Sequence, residues 1–137
     1  MINDHMPEYT VERCGKILNR HRKALNGSRV LVLGVAYKQD IDDYRESPAL
    51  RVIEELEKTG ASVTFYDPYI SEYRYHGKSH KGEAALSAGL LRNTDLVVVT
   101  TAHTNVDYDF VQRYAHAVFD TKNVMKAVAV RTNIEVL

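Results

Sequence analysis

The sequence predicts an α/β fold: a doubly wound, Rossmann-like parallel sheet with an extra N-terminal helix. Two observations carry this expectation. First, the runs Val30-Leu31-Val32-Leu33, Leu96-Val97-Val98-Val99 and Ala117-Val118-Phe119 are short, β-branched and continuous rather than alternating. Strands read this way when both of their faces are covered. Second, helical periodicity fills the intervals, so strand and helix alternate from Arg29 onward. That order builds right-handed βαβ units.

Each element has its own justification. Pro7 opens a helix running to about Leu25 and stopping near Gly27, with Val11, Cys14, Ile17, Leu18 and Leu25 as its apolar positions. Arg20, Arg22 and Lys23 fall in its last turns, where cations complement the helix dipole. The strand from Val30 to Leu33 ends at Gly34. From Pro48 to Thr59, Ala49, Val52, Ile53 and Leu56 share one helical face. Ser47 suits the N-cap, Pro48 the first turn and Gly60 the C-terminal stop. Ser62 to Tyr66 reads as a strand closed by Asp67-Pro68. Ser71 to Gly82, carrying Tyr73, Tyr75, His76 and His80, is irregular and expected as a loop. Lys81 to Leu91 and Asp107 to Ala115 are shorter helices. Ala127 to Val130 is a further candidate strand.

Composition bounds the function classes. At 137 residues the chain is expected to form one domain with a sizeable core, and a 45% hydrophobic share excludes wholesale disorder. Lys plus Arg total 18, as do Asp plus Glu, so the basic excess of a nucleic-acid reader is missing. Cys14 is the sole cysteine, which leaves no internal disulfide or cysteine metal cluster. No run approaches the ~20 apolar residues of a membrane span, and no secretory core precedes the first helix, so a cytoplasmic protein is expected.

Parallel sheets bind ligands at the carboxyl ends of their strands. The first such end is unusual: about a dozen residues separate Gly34 from Ser47, where two to six are typical. Lys38 and Arg45 are the cations of this loop, and Asp40, Asp42, Asp43 and Glu46 outnumber them. Either these acids orient Arg45 for a planar contact with phosphate, or the loop is solvated and holds local ion pairs. A dinucleotide site would need G-x-G-x-x-G after the first strand, but Ala36 and Gln39 stand at the second and third glycine positions. Asp67 ends the second strand, where an acid could bond a ribose hydroxyl, yet without the glycines NAD is not expected to sit here. A receiver domain fails as well, because Asp42 and Asp43 lie eight and nine residues past Gly34. His76 and His80 lack a third metal ligand, so no metal site is expected. His103, beside a strand end, is a candidate ligand contact or a turn residue. Cys14 reads as a small buried hydrophobe rather than a nucleophile.

Taken jointly, several stretches resemble the C-terminal domain of the UDP-glucose/GDP-mannose dehydrogenase family. They are Gly34-Val35-Ala36-Tyr37-Lys38, Asp40, Asp43, Arg45-Glu46-Ser47-Pro48-Ala49, Val52-Ile53, Leu56, Gly60-Ala61 and Tyr66-Asp67-Pro68. Thr101-Ala102-His103, Asp107-Tyr108 and Asp120-Thr121-Lys122-Asn123 continue the match, and Asn3-Asp4-His5-Met6-Pro7-Glu8-Tyr9 resembles the family's entry into this domain. The Met-Pro-Glu-Tyr opening is most similar to the branch acting on UDP-N-acetylhexosamines.

The resemblance implies that residues 1–27 end the central connecting helix and residues 28–137 form the UDP-binding domain. It further implies an oxidoreductase that converts a sugar C6 alcohol to a carboxylate in two hydride transfers to NAD. The NAD domain and the catalytic cysteine would lie outside this chain, which is therefore expected to be inactive alone. By the same resemblance Tyr37, Lys38, His103 and Lys122 contact the UDP-sugar and Arg45 approaches the cofactor. Lys122 stands where the family usually has arginine, which removes a planar fork. Lys38, Arg45 and Lys122 are expected to converge on one dianion. The implied partners are the UDP-sugar, the rest of the dehydrogenase and further copies in a homo-oligomer, with no nucleic acid and no membrane. A standalone nucleotide-binding or regulatory module is the alternative, and a small NAD-binding domain a third reading.

Overall fold

β-branched runs alternating with amphipathic helices can bury their apolar surface only by stacking helices on both faces of one sheet. The computed structural model, which describes residues 6–137, has this architecture. In chain order the elements are α1 (Met6–Arg20), β1 (Arg29–Leu33), α2 (Pro48–Lys58), β2 (Ser62–Tyr66), β3 (Glu72–Tyr75), β4 (Lys78–Lys81), α3 (Ala88–Arg92), β5 (Leu96–Val99), α4 (Tyr108–Tyr114), β6 (Val118–Asp120) and β7 (Ile134–Val136). Five strands pair in parallel in the order β2-β1-β5-β6-β7. Strand order reverses between β1 and β5, the switch point at which such sheets bind ligands.

The core divides by strand parity. Val30, Val32, Leu96, Val98 and Phe119 point to the face covered by α1 and α2, where Cys14, Ile17, Leu18, Val52, Ile53 and Leu56 meet them. Leu31, Leu33, Val97, Val99 and Val118 point to the other face, against Leu91 and Val111 of α3 and α4. The continuous apolar runs are thus explained: every residue of β5, of β6 and of β1 after Arg29 is buried. α1 is part of this core, and its Glu8 and Arg20 pair with Arg51 and Glu135.

Four expected elements differ in the structure. α1 stops at Arg20 rather than near Leu25. Arg22 takes a left-handed φ of 62°, with Lys23 N–H bonding Leu18 O and Arg22 N–H bonding Asn19 O. This is a Schellman stop built without the glycine that usually announces one. The expected loop from Ser71 to Gly82 is instead the antiparallel hairpin β3–β4. His76 (φ 49°) and Gly77 (φ 78°) make its tight turn, and such double left-handed pairs match the twist of a hairpin. Buried Tyr73 anchors it, stacked on His80, while His76 pairs with Glu54. The hairpin consumes the start of the helix expected from Lys81, leaving only Ala88–Arg92 behind the Ser87 cap. Residues 127–130 end a turn and pass through a bend instead of forming a strand, because Asp120 draws the backbone of Lys122, Val124 and Met125 into a tight wrap. The fifth strand of the sheet is β7. Asn3-Asp4-His5 lie outside the described residues, and among the described residues no helix is long and apolar enough to cross a membrane.

Cys14 is fully buried, and burial pushes its thiol pKa up to about 12. Thiolate is the reactive form. The native protein is therefore expected to resist Ellman's reagent at pH 8, and denaturant to release one reactive thiol. Fast labelling of the folded chain would contradict this packing.

Candidate functional site

The site is built where β1, β2, β5 and β6 end. Gly34 leaves β1 with φ 94°, its N–H bonding Tyr66 O. A Cβ there would stand 2.5 Å from Thr101 Cβ and 2.9 Å from Thr101 N. Glycine thus lets the β1 and β5 ends touch. From this contact the long loop runs over the end of β5. Thr101 Oγ1 donates to Ala36 O at 2.9 Å and Thr100 Oγ1 to Gly34 O. Tyr37 N–H donates to Asp43 O at 2.7 Å, closing the loop on itself. Ser47 then caps α2 by accepting from Ala49 N–H.

Buried polar groups hold the loop down. Asp67 Oδ2 accepts from Val35 N–H and faces His103 Nε2, both at 2.8 Å, and Oδ1 accepts from Tyr69 N–H at 2.8 Å. Its side chain has no exposed surface, so a ribose hydroxyl has no access to Asp67. His103 Nδ1 accepts from Asp40 N–H at 2.8 Å. Asp40 in turn takes both the N–H and the hydroxyl of Thr104.

Those Thr104 bonds hold the Asp40 carboxyl below the usual aspartate value. A lowered folded value means the clamp contributes fully above the unfolded pKa and is lost as pH falls through the folded one. The Thr104 amide shift is therefore expected to titrate with a midpoint below that of an unperturbed aspartate in NMR spectra. A midpoint above it would contradict the clamp.

Tyr37, Lys38, Gln39, Thr100, Thr101, Ala102 and Lys122 line one open cleft of about 280 Å³. Tyr37 is 49% exposed, with Lys38 Nζ 5.9 Å from its ring centroid. Lys122 rides on the loop after β6, where Asp120 fixes its backbone N–H at 3.1 Å. Among the described residues, neither Lys38 nor Lys122 has a carboxylate within ion-pair distance. Two ammonium groups on the walls of one strand-end cleft suit a diphosphate.

Arg45 does not join them. Asp43 grips its guanidinium through Nε and Nη2, each at 3.0 Å, which lowers the Asp43 pKa and raises that of Arg45. It lines a different, larger cleft of about 570 Å³ with Arg74, Tyr75 and the start of α1. The fork is a local ion pair and also an acid orienting Arg45, so both readings of this loop stand, and the three cations expected to converge do not all line one cleft. His103 is only 1% exposed, with both ring nitrogens engaged; it faces the protein, not the cleft. Sequence reasoning missed its tie to Asp67 because 36 residues separate them. The one signal was that both lie just past a strand end.

Comparison with known proteins gives the chain's family. Residues 31–127 match the UDP binding domain of the UDP-glucose/GDP-mannose dehydrogenase family. A UDP-N-acetyl-D-mannosamine dehydrogenase of Methanocaldococcus jannaschii is 33% identical over 132 residues, covering 90% of this chain and 28% of that protein. The structure of an NDP-N-acetyl-D-galactosaminuronic acid dehydrogenase from Methanosarcina mazei superposes with a TM-score of 0.79 at 27% identity, over 98% of this chain and 29% of the other. A UDP-N-acetyl-mannosamine dehydrogenase from Staphylococcus aureus gives a TM-score of 0.67 at 30% identity, over 98% and 30%. The chain thus spans under a third of the relatives it matches. With the β1 loop, the strand-end cleft and the family match in agreement, the chain belongs to the UDP-glucose/GDP-mannose dehydrogenase family and corresponds to its UDP binding domain.

Proposed function

We propose that this chain is the nucleotide-holding part of a cytoplasmic, homo-oligomeric, NAD-dependent UDP-sugar 6-dehydrogenase, with a UDP-N-acetylhexosamine as its substrate. The observation that carries the reading is a pair of ammonium groups, Lys38 and Lys122, that line one cleft at the strand ends with no ion pair among the described residues. Lys38 and Lys122 neutralise the diphosphate of the substrate, and exposed Tyr37 packs on its body. The sugar then projects away from the anchored diphosphate. Binding energy spent on this non-reacting handle positions C6 for oxidation, which is how remote groups raise a rate.

NAD supplies the hydride acceptor in such a reaction, but the residues at the β1 end do not fit it. Only Gly34 of the required glycines is present, and Asp67 is sealed inside. Arg45, exposed in the neighbouring cleft, is the one residue assigned toward the cofactor. The cofactor is held chiefly by the rest of the dehydrogenase, and the chain alone turns over nothing.

Calorimetric titration of the 137-residue chain tests the reading. UDP is expected to bind, NAD to give no heat, and Lys38→Ala to weaken UDP about tenfold, the loss of one charged contact. NAD binding without UDP binding, or UDP-sugar-dependent NADH formation by the chain alone, would contradict it.

A further inference from the structure

His103 has a chemistry of its own in the fold. It is buried between two loops, and the partners on each side dictate its proton. Asp40 N–H can only donate, so Nδ1 accepts and carries no proton. The remaining ring proton of the neutral imidazole sits on Nε2 and is donated to Asp67 Oδ2 at 2.8 Å. Tyr108 Oη donates to the His103 carbonyl at 2.7 Å, and the Tyr69 ring lies 5.0 Å away between centroids. The ring is therefore fixed at its backbone, on its face and at both nitrogens. Through Asp67 it is tied to Val35 and Tyr69, and through Nδ1 to Asp40, two residues beyond Lys38. Asp40 itself sits at φ 60°, in the left-handed region that aspartate tolerates better than most non-glycine residues.

We propose that His103 is a positioning residue: its Nδ1 holds the Asp40 amide and thereby keeps the Tyr37–Asp40 segment, with Lys38, over the cleft shared with Lys122. The inference rests on UDP occupying that cleft. His103 touches no ligand; it acts by fixing the place of the ammonium that does.

Two substitutions separate its two bonds. His103→Gln extends an amide to the Nε2 position, keeps the Asp67 contact and leaves Asp40 N–H bare. His103→Asn places an oxygen at the Nδ1 position and keeps the Asp40 contact. UDP affinity is expected to fall about fivefold in His103→Gln, the loss of one hydrogen bond, and to stay within about twofold of wild type in His103→Asn. The loss in His103→Gln should vanish in a Lys38→Ala background, because the residue it positions is gone. A merely structural histidine would instead lose affinity equally in both backgrounds. Wild-type UDP affinity in His103→Gln, an equal loss in His103→Asn, or full additivity with Lys38→Ala each overturns the inference while leaving the UDP reading intact. If Lys38→Ala alone leaves UDP affinity unchanged, the reading itself fails, and the inference with it. Should His103→Gln not fold, loss of UDP affinity in a folded His103→Asn suffices to overturn it.

Discussion

Asp67→Ala is expected to lower unfolding free energy by about 3–5 kcal/mol in denaturant titration, as deletion of a hydrogen-bonded buried charge does. The expectation follows from what the carboxylate satisfies. Val35 N–H, Tyr69 N–H and His103 all bond to it within 2.8 Å, and the side chain is fully enclosed. Removing it orphans three donors where water does not reach. A domain of this size has about 5–15 kcal/mol in all, so the variant sits near the edge of folding. Asp67→Asn, which keeps an acceptor oxygen, should lose about half as much. The functional loss should exceed the loss in stability, because the same carboxylate joins the loops after β1, β2 and β5. If Asp67→Ala unfolds at the wild-type denaturant concentration, Asp67 is not the hub of the strand-end loops.

Gly34→Ala is expected to cost about 2–5 kcal/mol, the sum of a left-handed backbone and an overpacked contact. The two costs have separate origins. The φ of 94° is a conformation that a side chain disfavours in any surroundings. The contact is local: the added methyl group meets Thr101 Cβ at 2.5 Å and Thr101 N at 2.9 Å. Neither side can yield cheaply, since Gly34 N–H is held by Tyr66 O and Thr100 N–H by Leu33 O. Relief would come only by parting the β1 and β5 ends. That movement shifts Thr100 and Thr101 in the cleft wall, so UDP affinity should fall together with stability. A Gly34→Ala variant as stable as wild type would refute the close approach of the two strands.

Legibility in the sequence followed the range of the interactions. β1, β2, β5 and α2 were readable because their causes are local: β-branched runs, an i, i+3, i+4, i+7 face, and the Ser47-Pro48 cap. The hairpin β3–β4 was hidden because His76 takes the left-handed place that asparagine or aspartate usually marks. α1 ran short for the same reason, with Arg22 in a glycine's conformation. β7 owes its position to Asp120 wrapping the intervening backbone, which no local pattern in residues 121–133 announces. In the site, Lys38 and Lys122 were visible as cations at strand ends. The roles of Asp67 and His103 were not, because a carboxylate at a strand end looks alike whether it faces a ribose or a buried imidazole. The Arg45–Asp43 fork was visible only as an acidic loop, since nothing in composition says which acid captures the arginine.

The central claim is that UDP is held between Lys38 and Lys122 at the strand ends. Amide chemical shifts followed through a UDP titration test it most directly. The largest changes are expected at residues 37–39, 100–102 and 121–123, and little is expected near Arg74 and Tyr75. Changes centred on the cleft of Arg45, Arg74 and Tyr75, with residues 37–39 and 121–123 unmoved, would contradict it.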